Sequence, residues 1–159
     1  MPTAEEIINA LNLQPLEGEG GHFRRTWFLP SAGSAPQASA IIYLVTPESY
    51  SALHRLDADE IFHFYLGDPC EQVVINANGQ VSTETLGPDI LGGQRIQTVV
   101  PKGTWQGTKL VPGGSWALLG TTMTPGFHLD GFELATRDDV QSMTEQAASV
   151  ATSYLADRA

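Results

Sequence analysis

The chain is poor in cysteine, in basic residues and in long apolar runs, and each shortage excludes something. Cys70 is the sole cysteine in 159 residues. One thiol cannot build a disulfide framework, which points to a reducing compartment. Lysine and arginine number 8 against 18 aspartates and glutamates, a formal net charge of −10. Such a surface repels nucleic-acid phosphates and anionic lipid, so neither is an expected partner. The acidic residues are not gathered into one tail, which argues for general solubility rather than an interaction arm. No apolar stretch reaches the ~18 residues of a membrane span. The opening MPTAEEIINALNL lacks the basic start and apolar run of a secretion signal. A cytoplasmic protein is the expectation. No P-loop, GxSxG or HExxH motif occurs. Gly18, Gly20 and Gly21 neither follow a strand nor open a helix, so a dinucleotide-binding reading fails on context.

What the chain does contain is turn chemistry and short β-patterned runs. Apolar residues make up 42% and charged residues 16%, the balance of a globular chain, and glycine (16) and proline (10) supply the turns. The length suits a single domain over 1–159. Thr3-Ala4-Glu5-Glu6 is a capping box that opens a short helix, with Pro15 as its expected end. From Gly18 to Phe132 the pattern is β. ASAIIYLVTP reads as a strand buried on both faces. SYSALHRL and EIFHFYLG are two strands joined by the polar turn Asp57-Ala58-Asp59, and Asn78-Gly79 marks a hairpin. Thr136-Arg137-Asp138-Asp139 opens a second helix. Its stripe of Val140, Met143, Ala147, Val150 and Tyr154 must cover either the chain's own barrel or a partner subunit. The whole reads as all-β, a sandwich or barrel with short helices at both ends.

Strand alternation selects the candidate residues. Ala52, His54 and Leu56 share a face, as do Glu60, Phe62 and Phe64, while Ile61, His63 and Tyr65 share the other. If His54 and Glu60 face one interior, that interior is an aromatic-lined cavity holding two ionisable groups. His63 would join them only through a bulge. Trp105 and Trp116 read as packing residues, and Cys70 as an unactivated thiol. His22 and His128 have no nameable partner. FHLDGFEL, with Asp130 and Glu133 near aromatics, has two readings, a pocket rim or a solvated loop, and the solvated loop is the expected one.

Two spaced motifs then carry a resemblance. His54-x-Leu56-x3-Glu60-x6-Gly67 resembles the first cupin motif, with Leu56 in place of its second histidine. Pro101-x-Gly103-x-x-Gln106 resembles the second, with Gln106 in place of its histidine. EGGHFRRTW, HRLDADEIFHFYLGDP and WALLGTTMTPGFHLDGFEL extend the likeness to the DUF985 (cupin_5) family, with Arg25 departing from an expected acidic residue. The resemblance implies a jelly-roll β-barrel, usually dimeric, with a small-molecule pocket.

It also implies four metal positions, filled here by His54, Leu56, Glu60 and Gln106. Leucine coordinates nothing and a glutamine offers only a neutral amide oxygen, so no tightly held cofactor is expected. A weak divalent ion would use His54, Glu60 and Gln106. Sugar epimerases and ketoisomerases of this fold use a histidine to move a proton beside a carbonyl. By that resemblance His54 and Glu60 are the catalytic candidates, with Tyr43, Phe62, Phe64 and Gln106 lining the ligand, and Tyr43 or Gln106 steadying an enolate oxygen. Three readings remain open: a metal-independent isomerase, epimerase or lyase acting on a carbohydrate-like carbonyl compound; a binding protein without turnover; and a metal-dependent enzyme.

Overall fold

The computed structural model describes residues 2–156. Two antiparallel sheets face each other, as the alternating strands require. One has six strands: β1 (Gln14–Pro15), β2 (His22–Leu29), β3 (Ala38–Val45), β10 (Ala117–Met123), β5 (Glu60–Gly67) and β8 (Gln97–Val100), in that spatial order. The other has five: β11 (Phe132–Leu134), β4 (Ser51–Leu56), β9 (Trp105–Leu110), β6 (Cys70–Ile75) and β7 (Val81–Leu86). Successive strands repeatedly change sheet, which gives the jelly roll. β6 and β7 form the expected hairpin around Asn78-Gly79.

The turn at Asp57-Ala58-Asp59 does not close a hairpin. β4 and β5 pair in different sheets, so the chain crosses the sandwich there. Ala58 is buried at the crossing, and Asp59 accepts a 2.8 Å bond from the Lys102 amide. His54 and Glu60 are thereby carried on opposite walls of one interior.

The first helix, α1 (Ala4–Leu11), opens on the capping box: the Thr3 hydroxyl accepts from the Glu6 amide and Glu6 accepts from the Thr3 amide. It ends earlier than Pro15, because Asn12 takes the left-handed conformation at φ 52°. Pro15 instead pairs with His22 in β1. The helix packs Ile7, Ile8 and Leu11 against Ile42, Leu44, Trp116 and Leu118 on the outside of the six-stranded sheet. The Trp116 indole donates to the Pro2 carbonyl at 2.8 Å.

The C-terminal helix is two pieces, α2 (Arg137–Gln141) and α3 (Glu145–Ala151), separated because Thr144 starts a new cap on the Ala147 amide. Its stripe covers the chain's own barrel. Val140, Ala147, Ala151 and Tyr154 pack on Leu53, Val73 and Ile75 of the five-stranded sheet, and the Tyr154 hydroxyl donates to Glu71 at 2.6 Å. No helix among the described residues is long and apolar enough to cross a membrane.

Candidate functional site

Between the sheets lies a cavity of about 610 Å³. Its walls follow from strand register. Arg25, Ile41, Thr121 and Phe62 form one cross-strand row, and Ser39, Met123 and Glu60 the next. His54 and Leu56 face them from β4, and Tyr43, Phe23 and Phe127 also line the space. The wall surface is mostly apolar, and the ionisable groups set into it are Glu19, Arg24, Arg25, Tyr43, His54 and Glu60.

His54 is 2% exposed, and its orientation is set on three sides. Its Nδ1 lies 2.8 Å from the Ala52 carbonyl, an acceptor only, so Nδ1 carries the proton and donates. In the neutral ring the lone pair is then on Nε2. The ring stacks on Phe132 at 5.3 Å and 29°. Glu19 Oε1 stands 3.8 Å from Nδ1, too far for a hydrogen bond but within ion-pair range.

Glu60, 6% exposed, answers from β5. Gln106 Nε2 donates to its Oε2 at 2.9 Å, and Thr121 also bonds it. Burial pushes the Glu60 carboxyl above the ordinary glutamate range. Its charge attraction to His54 and those two bonds pull the other way, and the like charge of Glu19 adds to the rise.

Glu19 had no signal in the strand pattern, because it sits in the glycine loop after Leu16. That loop is fastened at both ends and in the middle. The Ala52 amide donates to the Glu19 carbonyl at 3.0 Å, the Gly21 amide to Ser49 Oγ at 2.8 Å, and the Tyr43 hydroxyl to the Gly20 carbonyl at 2.8 Å. Gly21, at φ 74°, lies so close to Tyr43 that a Cβ would stand 2.5 Å from its ring. Ser51 Oγ donates to Glu19 Oε1 at 2.7 Å and aims the carboxylate inward. The three glycines thus bring in a carboxylate; they are no phosphate loop.

Several candidates from the motifs and the strand pattern have other roles than expected. Gln106 is 1% exposed but stands behind Glu60 rather than on the cavity wall, and its Oε1 is buried without a hydrogen-bond partner. Phe64, opposite Leu119, packs into the core rather than on the cavity wall. Tyr43 does line the cavity, but its single proton is committed to Gly20, so it is not free to steady an enolate. Burial, followed by the nearby Glu19 carboxylate, holds that phenol well above its usual range.

His63 faces outward as parity predicts, bonded to Thr122 and Gln97. The segment read as a solvated loop is instead the cavity's cover, since Phe127 lines it and Phe132 holds His54. His128, unpartnered on paper, lies 3.0 Å from Asp57 Oδ2. Asp130 and Glu133 remain exposed, the latter gripped by Arg55 at 2.7 and 2.9 Å. The burial of Cys70 pushes its thiol up to about 12, so it is not an activated nucleophile.

The profile of the Cupin superfamily (DUF985) matches residues 5–135. The chain is a member of that family. Over almost its whole length it is similar in structure to protein SO0799 of Shewanella oneidensis, with TM-score 0.91 and 31% identity, covering 99% of this chain and 100% of that one. A hypothetical protein from Leishmania major is similar at TM-score 0.90 and 25% identity, with 98% and 100% coverage. The uncharacterized protein YML079W of Saccharomyces cerevisiae is 26% identical over 155 residues, 84% of this chain and 77% of that protein.

Cupins often hold a metal at their two motifs, but the residues of this chain do not fit that group. At position 56 stands a leucine packed with Met123, Phe127 and Phe132, and at 106 a glutamine that offers only a neutral amide oxygen and stands off the cavity wall. Among the described residues no group of three His, Cys, Asp or Glu side chains is placed to hold a metal ion. The second-histidine position is a hydrophobic plug.

Proposed function

We propose that this cupin binds a small polar carbonyl compound in its barrel and moves a proton beside the carbonyl, as an isomerase, epimerase or lyase without a metal. The observation that carries this reading is the fixed tautomer of His54. With the Nδ1 proton held on the Ala52 carbonyl, the neutral ring offers Nε2 as base in a cavity that also holds Glu60. Removal of a proton α to the carbonyl leaves an imidazolium, which the Glu19 carboxylate at 3.8 Å stabilises. Glu60, whose pKa burial raises, is the candidate acid that delivers a hydrogen bond or proton to the enolate oxygen. In this role it replaces Tyr43, whose proton is already used, and Gln106, which stands off the cavity wall. Glu19 is a positioning residue, acting through His54.

The test is proton exchange. A panel of aldoses and ketoses is incubated with the protein in deuterated water and the α-proton signal followed by NMR. General-base catalysis contributes about 10²–10⁴-fold, so His54→Gln should lose at least about a hundredfold. Equal exchange by wild type and His54→Gln would sink the reading. The apolar walls formed by Ile41, Leu56, Phe62, Met123 and Phe127 favour a second reading, binding without turnover. Thermal stabilisation by a sugar that undergoes no exchange would select it.

We also propose a cytoplasmic homodimer. The free buried thiol suits a reducing compartment, and Tyr65, Leu66, Ile96 and Val99 leave apolar surface exposed around β5 and β8. Light scattering on a sizing column gives the mass, and a monomer at micromolar concentration would reject the dimer.

A further inference from the structure

We infer that the mouth of the cavity carries an anion subsite centred on Arg25, and that the natural ligand bears a carboxylate or phosphate at the end remote from His54. This rests on the proposed binding of a carbonyl compound and adds its charge.

The local sequence folds to present Arg25. In regular alternation Arg25, Trp27 and Leu29 would share a face of β2. The register instead shifts at Thr26, with Arg25 opposite Ile41 and Phe28 opposite Ser39. Ile41 and Ser39 both line the cavity, so the extra residue turns Phe28 to the face that Arg25 occupies. The Arg25 guanidinium then lies over the Phe28 ring at 4.4 Å. Stacking engages the face of the fork and leaves its in-plane N–H groups for a planar or tetrahedral oxyanion.

Charge makes the placement informative. Acidic residues outnumber basic ones 18 to 8 in this chain, yet among the described residues no carboxylate pairs with Arg25. Arg55, Arg95 and their partners show the contrast, each paired with a glutamate on the outer surface. Arg24 has a structural task, its Nε donating to the Leu11 carbonyl at the end of α1. It nevertheless reaches the same rim and adds positive charge there. Inside are Glu19 and Glu60, which would repel an anion seated at the wrong end. A ligand with its anionic group at Arg25 and its carbonyl toward His54 satisfies both. A neutral sugar would leave the rim arginine without a partner in a binding role.

Three probes of one carbon skeleton test this: glycerol 3-phosphate, glycerate and glycerol, titrated into the whole protein by NMR in about 20 mM NaCl to limit screening. At least one anion should bind about tenfold tighter than glycerol, and the tighter of the two identifies phosphate or carboxylate as the recognised group. Arg25→Gln should weaken that anion about tenfold, with Arg25→Lys in between because a point charge replaces a fork. Arg95→Gln should bind as wild type. His54→Gln should keep the preference for the anion, so a failure of the proton-transfer reading leaves this result standing. The inference is overturned if neither anion binds tighter than glycerol, or if Arg25→Gln binds the preferred anion as wild type does.

Discussion

Replacing Gln106 with leucine separates two opposing effects, and pH decides which dominates. The side chain gives Glu60 a 2.9 Å hydrogen bond, while its Oε1 lies buried with no partner. Deleting the unpaired oxygen recovers about 1–3 kcal/mol of desolvation. Deleting the donor costs about 0.5–1.5 kcal/mol when Glu60 is protonated and about 1.5–3 kcal/mol when it is charged. In acid the variant should therefore match wild type or exceed it by up to about 2 kcal/mol, and at alkaline pH lie about 1–2 kcal/mol below that level.

The sign follows from the carboxyl itself. Glu60 is raised in the folded state, so its ionisation lowers stability as pH climbs from the unfolded value through the folded one. Removing a bond that favours the charged form raises the folded value again. The variant then loses more, over a window reaching to higher pH. Urea unfolding followed by tryptophan fluorescence between pH 4 and pH 9 measures the gap. For an m-value of about 2 kcal/mol/M, the extra alkaline loss shifts the midpoint difference by about 0.5–1 M. A gap that stays constant or narrows with pH would refute the assignment of Glu60 as a buried group held by Gln106.

Three other outcomes follow from the geometry. With the Cys70 thiol at about 12, only about one molecule in ten thousand is ionised at pH 8, and the side chain is fully buried; a thiol reagent should label native protein negligibly and react fast in urea. Gly21→Ala places a methyl against the Tyr43 ring at a positive φ, and should cost about 2–3 kcal/mol in urea unfolding; a loss under about 0.5 kcal/mol would mean the glycine loop is not held as described. The double variant Leu56→His with Gln106→His supplies the imidazoles absent at the two motif positions. It should bind Co²⁺ with visible absorption where the wild type gives none, and an equal spectrum from wild type would contradict the donor argument.

Much of the fold was legible because its signals are local. The capping box at Thr3, the Asn78-Gly79 hairpin and the period-two runs each act over a few residues, and the structure obeys them. The face shared by His54 and Leu56, and that shared by Glu60 and Phe62, also came from alternation alone. That Asp57-Ala58-Asp59 crosses between sheets was not readable, since a polar turn looks alike whether its strands pair or part. The Thr26 bulge was silent for a similar reason: an extra residue leaves no mark in composition, yet it re-aims Phe28.

The site residues that escaped were those whose placement depends on contacts distant in sequence. Glu19 reaches His54 only because Gly20 and Gly21 let the loop press against Tyr43, Ser49 and Ser51, some thirty residues on. Phe132 reaches it only because β11 pairs with β4. These two contacts bear directly on the two motif positions that hold no histidine. With Leu56, Met123, Phe127 and Phe132 packed together, the side of the cavity where a second histidine would stand is apolar. A charged ion there would lose solvation without gaining ligands. His54, meanwhile, has a carbonyl on Nδ1, a ring on its face and a carboxylate nearby. Each of these contacts orients an imidazole as a base, and none requires an ion to do so. Glu19→Gln therefore separates the roles: it should leave anion binding at Arg25 intact while lowering proton exchange and shifting its pH profile, a pattern that a merely structural glutamate would not produce.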